Sequence, residues 1–326
     1  MPQVSTQFKR KVVIPALRVF ALASVSMCGS FLLSSYLNFY WKWPGLSVFV
    51  TKAPTLHSWA GLQLLVYLVP ITTVIFIVLR SPDRTLHDDS NMLSRFTQYL
   101  IRAVFWAVLI IGIVDMAISF LRVEGLLIKL VDPQFASELG RSKYRGTYVH
   151  FPILGISIVI AYFSRTLGFP WLALLIVAAE IQIVIARFIF SYEQAFMGDL
   201  VRFWYGALFL FASAYTLLQE GHVRVDVLYA SFTERGKAWT NALGSVFLGM
   251  PLCWIILTTG MWGRANSISG PLLSFEVTQS GYGMYVKYLL AGFLLIFAVS
   301  MLIQFTSYLL RNAAVLLNEI EPNPKS

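Results

Sequence analysis

The sequence predicts an all-α integral membrane protein of about eight transmembrane helices, with a short amphipathic helix at the membrane interface. Three observations point there. The chain is 57% hydrophobic and 13% charged, about half the charged fraction of a soluble domain. Residues 240–262 and 288–310 each run for 23 positions without a charge. At about 1.5 Å per residue, each crosses a hydrocarbon core of about 30 Å. Aromatic residues make up 15% of the chain and supply interfacial anchors such as Trp41 and Trp43.

The first apolar run, 13–40, follows Lys9-Arg10-Lys11 and is interrupted only by Arg18. It is too long for a signal peptide, so it reads as an uncleaved span. Pro44 closes it. The second span is 57–79, with Pro70 in its middle as a kink point. Residues 80–95 read as a polar connection carrying Asp83, Asp88 and Asp89. The third span, 100–121, contains Asp115. Residues 122–146 read as an extramembrane loop with one short surface helix. The fourth span, 147–163, is short and carries His150; Gly168-Phe169-Pro170 then makes a tight turn. The fifth, 171–190, has Glu180 at its centre, and the sixth is 196–218. Beyond it, Val225, Leu228, Tyr229 and Phe232 share one helical face, which predicts the interfacial helix. The last two spans are the uncharged runs.

Charge sets orientation and excludes one class of partner. The net charge of +9 comes from Lys and Arg scattered among the connections, with no basic stripe for nucleic acid. Assigning both termini to the cytoplasm puts more Lys and Arg inside than outside, most clearly from Arg165 onward. The 122–146 loop opposes the trend. Cys28 and Cys253 lie inside apolar runs and read as small buried hydrophobes.

No catalytic, cofactor or metal site is visible. His57, His87, His150 and His222 are widely separated, and no Gly-rich phosphate loop occurs. Asp115 and Glu180 are intramembrane carboxylates. Each is read either as a proton or ion relay or as a buried interhelical contact. Glu193, Asp199 and Arg202 lie at the membrane face opposite the 221–226 cluster. Asp199 and Arg202 are three residues apart and can pair on a helix, either simply neutralising each other or meeting another subunit. Gly221, His222, Arg224 and Asp226 follow the sixth span on the cytoplasmic side. There Gly221 can cap the helix, and His222 and Arg224 reach lipid phosphates. They form either a plain linker or a clamp and docking point.

Taken in order, these features resemble a known family. A span ends in Arg187-Phe188-Ile189-Phe190, and Glu193 follows in an acidic-aromatic connection. The next span carries Arg202, Trp204 and Gly206, and Lys287 enters the last one. Gly221-His222-Val223-Arg224-Val225-Asp226 is similar to a Gly-His-x-x-x-Asp signature. From about Trp171 to Leu310 the sequence resembles the small, DctQ-type membrane subunit of tripartite ATP-independent periplasmic (TRAP) transporters. It departs in two respects. Glu193-Gln194 and a later Asp199 stand where that family has paired acids, and the chain adds an N-terminal extension of about four spans. The extension resembles a longer subgroup labelled as mannitol or chloroaromatic-compound transporters.

The resemblance implies three segments: an extension at 1–168, a four-helix unit at 169–313 and a polar tail at 314–326. It also implies a scaffold role beside a large permease subunit in the bacterial inner membrane. A periplasmic binding protein would supply an organic, carboxylate-type solute, and an ion gradient, usually sodium, would drive uptake. Glu193, Asp199, Arg202 and Trp204 would then face the partners on the outer side. Two rivals carry different expectations. A membrane enzyme centred on Asp115, His150 and Glu180 would be active alone, and a self-contained transporter using Asp115 and Glu180 would need no partner.

Overall fold

The structure is a computed structural model that describes residues 9–45, 58–165, 168–192, 194–219, 229–277 and 283–319. The described residues are helices and connecting turns, without a strand. Among the described residues, eight helical stretches are long and apolar enough to cross a membrane, as the sequence predicts.

The first span is α1 (Ile14–Trp41), entered through a π turn at Lys9–Val13. Lys42 closes it in the left-handed conformation. The second is α2 (Ser58–Arg80), whose helix continues through Pro70.

The third span, α3 (Leu86–Val123), begins well before residue 100 and absorbs most of the expected polar connection. The cause is local. The Thr85 hydroxyl accepts the Asp88 N–H at 3.1 Å, and the Asp88 carboxylate accepts the Thr85 N–H at 3.0 Å. This reciprocal cap satisfies two orphan donors, and Asp88 and Asp89 also suit the positive end of the helix dipole. Losing the cap in Thr85→Ala costs about 1 kcal/mol. A lowered thermal midpoint in detergent, matched by faster proteolysis between residues 80 and 90, is the expected result. An unchanged midpoint would show that the cap does not stabilise this helix start.

Three short helices follow where one was expected: α4 (Leu127–Leu130), α5 (Pro133–Leu139) and α6 (Ser142–Arg145). Asp132 caps α5, accepting the Gln134 N–H at 2.8 Å, with Pro133 in the first turn. Leu127, Ala136 and Leu139 form a small core beneath them, against Ile118, Leu121 and Val149. The fourth span starts at α6, passes a π turn at Gly146–His150 and ends as α7 (Phe151–Phe163).

Gly168, at φ +72°, caps α8 (Phe169–Phe190), and Pro170 lies in its first turn. Next is α9 (Ala195–Leu218). Residues 220–228, which include Val225 and Leu228 of the expected interfacial helix, lie outside the described residues. The expected helix is not continuous over its described part: Tyr229–Ser231 form a single 3-10 turn and Phe232 lies in a bend. Thr233 then caps α10 (Glu234–Gly244), which runs through a third π turn, Ser245–Gly249, into α11 (Met250–Met261) as the seventh span. A short α12 (Ser269–Ser274) precedes the last span, α13 (Lys287–Leu317).

The chain divides into two compact units. The first holds residues 1–95, 221–255 and 301–326, and the second holds 96–220 and 256–300. In the first unit, several buried polar groups are paired across helices. Arg18 donates to Asp89 at 2.7 Å and to the Ser81 carbonyl at 2.6 Å, and Arg84 reaches the other Asp89 oxygen at 2.8 Å. Ser90 and Ser307 exchange hydroxyl-to-carbonyl bonds of 2.9 and 2.8 Å, with Ser94 joining at 2.7 Å. Small hydroxyl residues of this kind let membrane helices approach closely. Cys28 and Cys253 are buried and unbridged. The second unit contains the most enclosed polar network, described next.

Candidate functional site

Asp115 lies on α3 and is fully buried. A carboxylate at such a position needs a partner, because burying an isolated charge is very costly. The chain supplies one by folding back. Gly125, at φ +66°, turns the backbone at the end of α3, and α4, α5 and α6 then return it to deliver Arg145. The Arg145 Nη1 donates to Asp115 Oδ1 at 2.9 Å and to the Ser119 hydroxyl at 3.1 Å, while its Nε donates to the Leu139 carbonyl at 3.0 Å. Arg145 is fully buried as well.

The π turn then positions His150. The Phe151 N–H bonds the Gly146 carbonyl five residues back, which widens the turn. His150 Nε2 lies 3.1 Å from Asp115 Oδ1, and its Nδ1 lies 2.7 Å from the Tyr288 hydroxyl. The tautomer protonated at Nε2 satisfies both contacts, donating to Asp115 and accepting from Tyr288. The second carboxylate oxygen, Oδ2, accepts the Tyr285 N–H at 2.8 Å. Tyr285 also donates its hydroxyl to the Gly140 carbonyl at 2.8 Å, and the guanidiniums of Arg122 and Arg145 lie 4.7 and 4.2 Å from its ring centre. Gly146 is required here, because a Cβ would stand 2.3 Å from the Phe275 ring.

In this network one carboxylate meets one guanidinium, and both carboxylate oxygens accept hydrogen bonds. It also joins distant parts of the sequence. Asp115, Arg145 and His150 belong to the N-terminal half, whereas Phe275, Tyr285 and Tyr288 lie more than a hundred residues later.

A second polar feature of the same unit is a cleft of about 280 Å³ between α8 and α9, lined by Gln182, Arg187, Gln194, Asp199 and Arg202. Asp199 is buried, accepts the Met284 N–H at 3.1 Å and lies 3.6 Å from Arg202, whose side chain is 75% exposed. The pairing expected from their spacing is present. Trp204, grouped with them from the sequence, is 4% exposed and donates its Nε1–H to the Val108 carbonyl at 3.3 Å. It packs inside the chain against Gly112, where a Cβ would come within 2.3 Å of the indole nitrogen.

The two intramembrane carboxylates separate clearly. Asp115 is enclosed and paired, while Glu180 lies exposed on α8 and makes no hydrogen bond or ion pair with the described residues. The structure thus brings Asp115 and His150 together but leaves Glu180 out of their network. Glu193 and the cluster Gly221, His222, Arg224 and Asp226 lie outside the described residues. Sequence reasoning missed Arg145, which it read as a solvated loop cation, and it missed Tyr285 and Tyr288. One signal was available: a buried Asp115 demands a cation, and the loop directly after its helix offers Arg141, Lys143 and Arg145.

No curated protein and no solved structure matched the chain. Residues 173–314, a little under half of the chain, match the family model described as "Tripartite ATP-independent periplasmic transporters, DctQ component". That family is a transporter component and not an enzyme, and the match supports a small permease subunit of a TRAP-type transporter.

Proposed function

We propose that the chain is the small permease subunit of a TRAP-type secondary transporter, working as a scaffold and assembly partner of a large permease subunit. The observation that carries this reading is the match over residues 173–314. It has physical support. Asp115 is enclosed in a paired network, which suits a fastening better than a pathway for ions. In this proposal a periplasmic binding protein delivers a small organic carboxylate, and a sodium gradient drives its uptake through the large subunit. The extension at 1–168 belongs to the longer, mannitol/chloroaromatic-type subgroup, the four-helix unit spans 169–313, and 314–326 is a tail.

The proposed site is the bacterial inner membrane with both termini in the cytoplasm. Arg145 supports that orientation. It is a buried ion-pair partner, so it does not count as an outer loop cation, and the excess of inner Lys and Arg widens. Asp199, Arg202 and Glu193 then lie at the outer face, towards the partners. Gly221, His222, Arg224 and Asp226 lie at the cytoplasmic face and order the link after α9 near lipid phosphates.

Affinity purification of the tagged chain from its native membrane in mild detergent tests the assembly. A large polytopic subunit recovered in near-equal amount is the expected result; a chain that elutes alone would sink the proposal. In the intact complex, His222→Ala and Asp226→Ala should each lower solute uptake by weakening assembly. Full uptake from both variants at normal expression would remove that role for the cluster.

A further inference from the structure

Glu180 is a charge within a span that makes no hydrogen bond or ion pair with the described residues. It lies 11 residues from the start of α8 and 10 from its end, roughly 15 Å from either side, at the middle of a hydrocarbon core of about 30 Å. It is exposed on the outside of the chain. Val177, Ile181, Val184 and Phe188 flank it on the same face and are 52–79% exposed. Of the eight spans, α8 is the least covered, with 11% of its apolar window buried against 50% for the last span. Arg187, the nearest cation on the helix, is seven residues on, about 10 Å along the axis, and forms no ion pair with Glu180.

A mid-membrane carboxylate facing lipid is strongly unfavourable, and intramembrane charges characteristically face a protein interior and pair there. The described residues leave this face bare, and a partner from another chain would cover it. A second copy in the same orientation, related by an axis along the membrane normal, would bring Glu180 to its own depth and set like charges together. Charge complementarity selects the opposite chemistry.

We propose that the exposed face of α8 is the docking face for a transmembrane helix of a different subunit, which presents a Lys or Arg to Glu180 at mid-membrane depth. The proposal rests on the assembly reading above and adds to it which face is used and what the partner helix carries. The flanking Val177, Ile181, Val184 and Phe188 pack against the partner helix. Glu180 sets its depth and register, as a single buried polar residue does in other helix pairs.

The test places a photo-crosslinking residue at Ile181 or Val184 of the tagged full chain in native membranes, and identifies the cross-linked peptide by mass. The expected product is one apolar span of a second polytopic protein, with a Lys or Arg near its centre. Glu180→Leu should reduce that product about tenfold or more. Pairing Glu180→Lys with a Glu in place of the partner's cation should restore it. Glu180→Leu makes an exposed position more apolar, so monodisperse elution at normal yield is expected and excludes misfolding as the cause. Cross-links to lipid alone or to a second copy would overturn the proposal, as would an undiminished product in Glu180→Leu. If a large subunit co-purifies while positions 181 and 184 reach only lipid, the assembly reading stands and this docking face falls. If no partner co-purifies, both fall.

Discussion

Asp115→Ala and Arg145→Ala should each destabilise the solubilised chain by about 3–5 kcal/mol, the cost of leaving one member of a buried ion pair uncompensated. In Asp115→Ala the Arg145 guanidinium keeps its contact with Ser119 but loses its counter-charge, and the Tyr285 N–H and His150 Nε2 lose their acceptor. In Arg145→Ala the carboxylate stays buried with only His150 and the Tyr285 N–H to stabilise it. Both variants should show a fall in thermal midpoint by size-exclusion assay in detergent, with reduced yield. Asp115→Leu combined with Arg145→Met should recover part of the loss, because an apolar pair of similar volume removes both charges together. Recovery should be incomplete, since the Tyr285 N–H still lacks an acceptor. Single variants within about 0.5 kcal/mol of the parent, the range of ordinary surface substitutions, would show that the network does not hold the fold.

Gly168→Val should be nearly as damaging, for two separate reasons. The residue sits at φ +72°, where a β-branched side chain is strained by about 1–3 kcal/mol. A Cβ there would also lie 2.1 Å from the Phe105 ring, and such overpacking typically costs another 1–3 kcal/mol. The two terms can be separated. Adding Phe105→Leu should recover the steric part and leave the backbone strain. Gly155 on α7 provides the control, because nothing lies within 4 Å of its Cβ position. Gly155→Ala should be neutral or slightly stabilising, as expected for a helix interior. Equal losses at Gly155 and Gly168 would mean that neither the turn nor the ring contact distinguishes them.

Parts of this organisation are legible in the sequence. Long uncharged runs have one stable solution in a bilayer, because every backbone polar group must be satisfied within its own segment. That constraint yields the all-helical class and the eight spans. The i,i+3 spacing of Asp199 and Arg202 placed both on one helix face, and the pair forms. Gly168-Phe169-Pro170 reads as a tight turn before a span at 171, whereas the structure keeps only Gly168 outside the helix and starts α8 at Phe169. The early start of α3 is written in Thr85 and Asp88, whereas the charges of 80–95, taken as composition, read as a polar connection. Asp89 and Arg84 look like loop residues until Arg18, some seventy positions earlier, is seen to pair with Asp89.

What the sequence alone determined is therefore local: which stretches are apolar enough to be helices in a membrane. What the tertiary structure decided is which charges are internal. Arg145 and Arg141 are indistinguishable as loop cations four residues apart, yet one is fully buried on Asp115 and the other lies exposed beside Glu138. Asp115 and Glu180 are both lone carboxylates within spans, yet one is enclosed and the other faces outward. Helix periodicity specifies which residues share a face, but it is silent on what that face meets. A charge becomes affordable in a membrane only through a partner, and partners separated by 30 to 170 residues are brought together by the fold alone.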